Sequence, residues 1–264
     1  MASMRRPFIA GNWKMNLDHL QSIAFVQKLA WALKDAGYKE GVVEVGVFPP
    51  FTDLRSVQTL ISADDLPLKL GAQDLSVHDE GAHTGDISGI FLKALACEYV
   101  IVGHSERRTD HLESDDQVAT KSVQAIKHGL VPIICVGETS EDLEQYGPSH
   151  VPVKQLVAVL AALPDDANFV VAYEPVWAIG SGQAATPDQA NTVCEALRAA
   201  IAEHQGDDVA SATRVLYGGS VKSSNIAGFM KREHIDGALV GGASLDVTEF
   251  AAIVRFPDHV TADS

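Results

Sequence analysis

Short apolar runs rich in β-branched residues recur along the chain: Phe8–Ala10, Val42–Phe48, Leu66–Leu70, Tyr99–Val102, Val131–Val136, Phe169–Tyr173, Arg214–Tyr217 and Ala238–Val240. Their apolar positions are continuous rather than alternating, the pattern of strands covered on both faces. Between them the period lengthens to that of a helix. Leu20, Ile23, Leu29 and Leu33 suit one helix face, and Val193, Leu197 and Ile201, spaced by four, suit another. The second helix also carries start signals: Thr186 can cap, Pro187 fits the first turn, and Gln189 completes a capping-box spacing. Alternating strands and helices imply parallel strands joined by right-handed crossovers.

Roughly eight strand–helix units in 264 residues match a closed eight-stranded parallel (β/α)8 barrel. A doubly wound open sheet is the alternative, but no GxGxxG follows the first run and no GxxxxGK(S/T) occurs. No Pro/Ser-rich linker or composition shift divides the chain. The expectation is therefore one barrel domain over residues 1–264, with a short flexible N-terminus (1–6) and a C-terminal tail (257–264).

Composition narrows the partners. With 20 Lys plus Arg against 35 Asp plus Glu, the formal charge is −15. Phosphate backbones and anionic bilayers need a basic face, so nucleic-acid and membrane binding are not expected. A small phosphorylated substrate remains open, because it needs only a local cation and a few backbone N–H groups. Cys97, Cys135 and Cys194 are odd in number and lack a CxxC spacing, which reads as reduced thiols. The basic start gives way to an apolar stretch too short for a signal-peptide core, so the expected location is the cytoplasm.

The polar residues cluster where the apolar runs end. Asn12-Trp13-Lys14 follows the first, and Gly103-His104-Ser105-Glu106-Arg107-Arg108 the fourth. Gly137-Glu138 follows the fifth, Glu174-Pro175 the sixth, Gly218-Gly219-Ser220 the seventh and Gly241-Gly242 the eighth. In a parallel barrel these strand ends share one face, where active sites form. Lys14, His104, Glu174 and the late glycines would then converge. The two late glycine pairs suggest an anion site, since glycine admits close backbone approach and a helix start aims N–H groups at phosphate oxygens.

These segments resemble the triosephosphate isomerase family. Phe8-Ile9-Ala10-Gly11-Asn12-Trp13-Lys14-Met15-Asn16 is similar to its opening, and Val102-Gly103-His104-Ser105-Glu106-Arg107-Arg108 to its electrophile segment. Ala172-Tyr173-Glu174-Pro175-Val176-Trp177-Ala178-Ile179-Gly180 resembles the segment of its base and flexible loop. Tyr217-Gly218-Gly219-Ser220 and Val240-Gly241-Gly242 resemble its phosphate turns. All five stand in the family's order.

The resemblance implies interconversion of dihydroxyacetone phosphate and D-glyceraldehyde 3-phosphate through an enediolate, without metal or cofactor. It implies Glu174 as base, His104 as electrophile, Lys14 as cation and Asn12 as a further polar contact. Gly180, Ser220, Gly241 and Gly242 match positions that contact phosphate, while Ser105 and Glu106 match supporting positions beside the histidine and lysine. A neutral histidine facing a glutamate base is this family's own known pattern, taken over here with the resemblance. The loop Gln73–Gly89 resembles the interdigitating loop of the family's homodimer, with Thr84 reaching the neighbouring subunit. His83 stands where an aromatic ring is common. In the segment 176–185, Ser181 replaces a usual Thr and Gln183-Ala184 a usual Lys-Thr.

Two other functions compete. A phosphate-binding barrel lyase of the aldolase type would want a Schiff-base lysine or metal ligands at a strand end, and only Lys14 is so placed. A non-catalytic relative would lack the base or the electrophile, whereas Glu174, His104 and Lys14 are all present. The acidic and histidine groups His78-Asp79-Glu80 with His83, and Asp110-His111 with Glu113, Asp115 and Asp116, lack a metal-ligand spacing. Arg107 and Arg108 are expected in ion pairs, Cys135 in packing, and Trp177 as the anchor of a moving loop.

Overall fold

The computed structural model describes residues 5–179 and 184–258. Eight strands, β1 (Phe8–Asn12), β2 (Glu44–Phe48), β3 (Lys69–Ala72), β4 (Tyr99–Val102), β5 (Val131–Val136), β6 (Val170–Tyr173), β7 (Arg214–Tyr217) and β8 (Gly237–Val240), pair in chain order and close into a barrel. Every pairing is parallel, and the ring closes where Phe8 stands opposite Gly237 and Ile9 opposite Ala238. The helices between the strands are α1 (His19–Asp35), α2 (Leu54–Ala63), α3 (Gly89–Ala94), α4 (Ser105–Asp110), α5 (Asp115–Lys127), α6 (Ser140–Tyr146), α7 (His150–Leu160), α8 (Pro187–Gln205), α9 (Asp207–Ala212) and α10 (Ile226–Met230). After β8 comes α11 (Val247–Val254).

The continuous apolar strands serve two cores. Phe8, Ala10, Phe48, Tyr99, Ile101, Ile133, Cys135, Val170, Ala172, Leu216 and Leu239 pack together inside the barrel. Alternate residues such as Ile9, Val45, Val100 and Val171 pack outward against the helices. This double burial is what the unbroken hydrophobic runs encode. Beneath the interior, Arg214 lies over the Phe8 ring at 4.9 Å and joins Glu44 at 3.1 Å, with the Tyr99 hydroxyl donating to the same carboxylate.

Start signals read in the sequence are realised at α8. Thr186 Oγ1 accepts the Gln189 amide and Gln189 Oε1 accepts the Thr186 amide, with Pro187 opening the helix. Val193, Leu197 and Ile201 are fully buried. The first helix departs from expectation. Leu20 is 66% exposed, and Ser22, Phe25, Val26, Leu29 and Leu33 form the buried stripe. Ser22 takes an inward position because its hydroxyl donates to the buried Asp53 carboxylate at 2.8 Å.

The third strand also shifts, from the expected 66–70 to Lys69–Ala72. The Leu66 amide is committed to Ile61 O at the end of α2, and Pro67 has no amide to offer. The ladder then runs into Gly71, where a Cβ would stand 2.1 Å from the Phe48 ring that fills the barrel. The N-terminus is pinned earlier than expected: Arg5 binds Asp236 at 2.6 Å and Arg6 bonds the carbonyls of Glu40 and Val43. Of the expected tail, Pro257 and Asp258 complete a short 3-10 turn with Phe256.

Candidate active site

The strand C-termini open into a cleft of about 880 Å³ lined by Asn12, Lys14, His104, Glu106, Glu174, Ser220, Gly241 and Gly242, among others. These residues come from the ends of β1, β4, β6, β7 and β8, so the barrel gathers groups more than two hundred positions apart. Ser105 stands behind the cleft wall, and its amide donates to Glu174 Oε2 at 2.9 Å. Thr84 is not brought to the cleft. It is exposed at the tip of the loop after β3. Gly180, with Ser181 and Gln183, lies outside the described residues.

Glu174 is 2% exposed and its Oε1 meets His104 Nε2 at 2.9 Å. Glycine makes room for it on both sides. A Cβ on Gly137 would come 1.8 Å from the Glu174 carbonyl oxygen, and one on Gly218 would come 2.9 Å from Glu174 Cγ. Burial pushes this carboxyl up, but the His104 contact, the Ser105 amide and Lys14 outweigh it, leaving it below the usual glutamate range. With these donors in place, burial alone does not set the carboxyl's basicity.

His104 caps α4. Its Nδ1 accepts the Glu106 amide at 3.2 Å, which leaves the ring proton on Nε2, facing Glu174 and the cleft. Burial pulls the imidazole's affinity for a second proton down, and the adjacent Glu174 carboxylate pulls it above its ordinary value. The Glu106 carboxylate adds to that upward pull, and Lys14 opposes it. The hydrogen-bond pattern itself is that of a neutral ring.

Lys14 has a left-handed backbone, φ +52°, strained for a residue with a side chain. Its amide donates to Asn12 Oδ1 at 3.0 Å, and its carbonyl accepts Gln73 Nε2 at 2.7 Å. So held, Nζ reaches Glu106 Oε1 at 2.6 Å and passes beside Gly241, where a Cβ would touch Lys14 Cε at 3.3 Å. Gln73 also donates to Phe48 O at 2.8 Å, tying three strand ends together. Nothing in the sequence marked Gln73, because its role depends on two carbonyls distant in the chain.

The segment after Glu174 begins with a 3-10 turn, Val176–Ala178. Trp177 Nε1 and the Tyr173 hydroxyl both donate to Glu138 Oε1, at 2.7 and 2.9 Å, and the Val176 amide donates to Glu138 O. Glu138 is fully buried, and burial pushes its carboxyl up. It was visible in the sequence as a strand-end polar residue, yet only the fold reveals Trp177 as its partner. Lys222, Ser223 and Glu249 also line the cleft without having been singled out.

The other polar groups are engaged elsewhere. Arg107 bridges Asp74 and Glu113, at 2.8 and 2.5 Å, and Arg108 binds Asp115 at 2.6 Å. His78 and His83 stack face to face at 3.6 Å, while Asp79 joins Lys127 and His128. Cys135 is buried inside the barrel and its thiol is pushed well up. Among the described residues, no three His, Cys, Asp or Glu side chains are grouped to hold a metal. Among them too, no helix is long and apolar enough to cross a membrane.

Comparison with known proteins agrees with this architecture. A family model described as triosephosphate isomerase matches residues 7–257. The triosephosphate isomerase of Leifsonia xyli subsp. xyli is 70% identical over 97% of this chain and 100% of its own length. That of Streptomyces coelicolor is 55% identical, over 97% of this chain and 99% of its own. That of Mycobacterium tuberculosis is 53% identical, over 94% of this chain and 95% of its own.

Proposed function

The chain belongs to the triosephosphate isomerase family, and from that premise we propose how its residues interconvert dihydroxyacetone phosphate and D-glyceraldehyde 3-phosphate. The reaction moves a proton between adjacent carbons through an enediolate. It needs a base beside carbon and donors beside both oxygens. The observation that carries the assignment is the contact of Glu174 Oε1 with His104 Nε2 at 2.9 Å, on the cleft wall.

Glu174 takes the carbon-bound proton. It rests on His104 and Ser105, and a substrate between the two side chains replaces those contacts with the reacting carbon. Losing the Ser105 amide and the imidazole as donors leaves burial dominant, so the carboxylate's basicity rises where it is used. His104, neutral through its Glu106 cap, donates Nε2–H to the developing oxyanion. Lys14 supplies a positive charge to the oxyanion and the phosphate, and Asn12 holds the strained Lys14 backbone. Ser220, Gly241 and Gly242 with Gly180 seat the phosphate, Lys14 lying against Gly241.

The enzyme is proposed to work in the cytoplasm as a homodimer. Thr84 lies on an exposed loop, and Met15 and Leu112, in the loops after β1 and α4, are 94% and 81% exposed. Burying such side chains against a second chain would stabilise the pairing. The aldolase-type alternative has no comparable support, since the matching family model and the relatives at 53–70% identity are triosephosphate isomerases.

A coupled assay with glyceraldehyde 3-phosphate, run with and without an enediolate-like phosphate inhibitor, tests the reading. Isomerisation suppressed by the inhibitor is expected. Cleavage of a carbon–carbon bond, or no turnover, would overturn it.

A further inference from the structure

We infer that Glu249 is a positioning residue for the phosphate seat, acting through the loop after β7. The inference rests on the reading that Ser220 and the late glycines hold the substrate's phosphate.

Glu249 is the third residue of α11, whose cap is Asp246. The sequence Asp246-Val247-Thr248-Glu249 has the spacing of a capping box, in which the glutamate turns back to the cap's own amide. Half of that box forms: the Glu249 amide donates to Asp246 Oδ1 at 2.9 Å. The other half does not. The Glu249 side chain instead crosses to Ser223, accepting its amide on Oε1 at 2.7 Å and its hydroxyl on Oε2 at 2.9 Å. A local, low-entropy partner has been exchanged for one 26 positions away.

That partner lies in the segment Ser220–Ser224, which lines the cleft. Asn225 ties it further, accepting the Lys222 amide at 2.8 Å and donating to Ser220 O at 3.1 Å. Glu249 joins the loop after β7 to the helix that follows β8 and its Gly241-Gly242 turn. The two halves of the phosphate seat are thereby fixed relative to each other. A carboxylate on the wall of an anion site would otherwise repel its ligand. Here each carboxylate oxygen already faces a donor, and the first turn of α11 offers a favourable dipole.

The test uses inorganic phosphate as a competitive inhibitor of the full-length enzyme, with KM, kcat and Tm measured alongside. Glu249→Ala is expected to raise the phosphate Ki and KM together by about tenfold, the equivalent of one charge-assisted hydrogen bond, with a smaller change in kcat. Glu249→Gln keeps an oxygen for the Ser223 amide and is expected to recover most of the loss. Ser223→Ala removes the hydroxyl bond alone and supplies a milder variant should Glu249→Ala fold poorly; its Ki is expected to rise by a smaller factor. If Tm falls while Ki and KM stay within twofold of the parent, Glu249 merely braces the fold and the inference is overturned. If phosphate fails to compete with substrate in the parent enzyme, the phosphate seat itself is misassigned and the inference falls with it.

Discussion

At the scale of single residues, the site depends on two short contacts and one strained backbone. Glu174→Asp withdraws the carboxylate by one methylene, and a misplacement of ~1 Å can cost ~10²-fold, so kcat should fall by about that factor with little change in KM. Unchanged turnover in steady-state assays would remove Glu174 from the chemistry. His104→Gln alters the proposed donor to the oxyanion, where losses of ~10²–10³-fold in kcat are typical. If only KM moved, His104 would be a binding group and not the electrophile. Glu174, His104, Lys14 and the late glycines were legible in the sequence because each follows an apolar run. Gln73 and Glu249 were not. Gln73 acts on carbonyls of residues 14 and 48, and Glu249 sits in a pattern that foretells a local cap.

At the scale of elements, the strand ends are spaced by glycine. Gly137→Ala would drive a methyl group to 1.8 Å from the Glu174 carbonyl, so β5 and β6 must part. A stability loss of ~1–3 kcal/mol is expected from such overpacking, together with a fall in kcat; denaturant unfolding and kinetics would check both. At the other end of the barrel, burial pushes the Glu44 carboxyl up. The Tyr99 hydroxyl, Arg214 and Arg6 outweigh it and hold it below the usual range. Its stabilisation is therefore fully present above the ordinary glutamate value and is lost as pH falls through the lower folded value. Glu44→Gln should cost ~3 kcal/mol at neutral pH, and the gap from the parent should close in strong acid. An equal gap at both pH values would contradict the ion-pair account. Eight strands were readable from the apolar runs, but β3 begins three residues later than its run because the Leu66 amide is committed to α2 and Pro67 has none, and it extends to Gly71, where Phe48 leaves no room for a side chain. Leu20 misled in α1 because Asp53, distant in sequence, draws Ser22 inward.

At the scale of the whole molecule, the barrel supplies convergence and the pairing of two copies is proposed to complete the rim. Sedimentation should report twice the 28.2 kDa chain mass, and Thr84→Arg should shift it toward monomer with loss of turnover. A fully active parent monomer would contradict that arrangement. The deeper claim is that this mouth brings one carboxylate to one carbon-bound proton. Exchange of that hydrogen with deuterated solvent, followed by NMR on dihydroxyacetone phosphate, reads the step directly. The parent enzyme should incorporate deuterium at carbon, and Glu174→Gln, correctly folded, should do so slower by at least ~10²-fold. Exchange at the parental rate in the Gln variant would show that another group takes the proton.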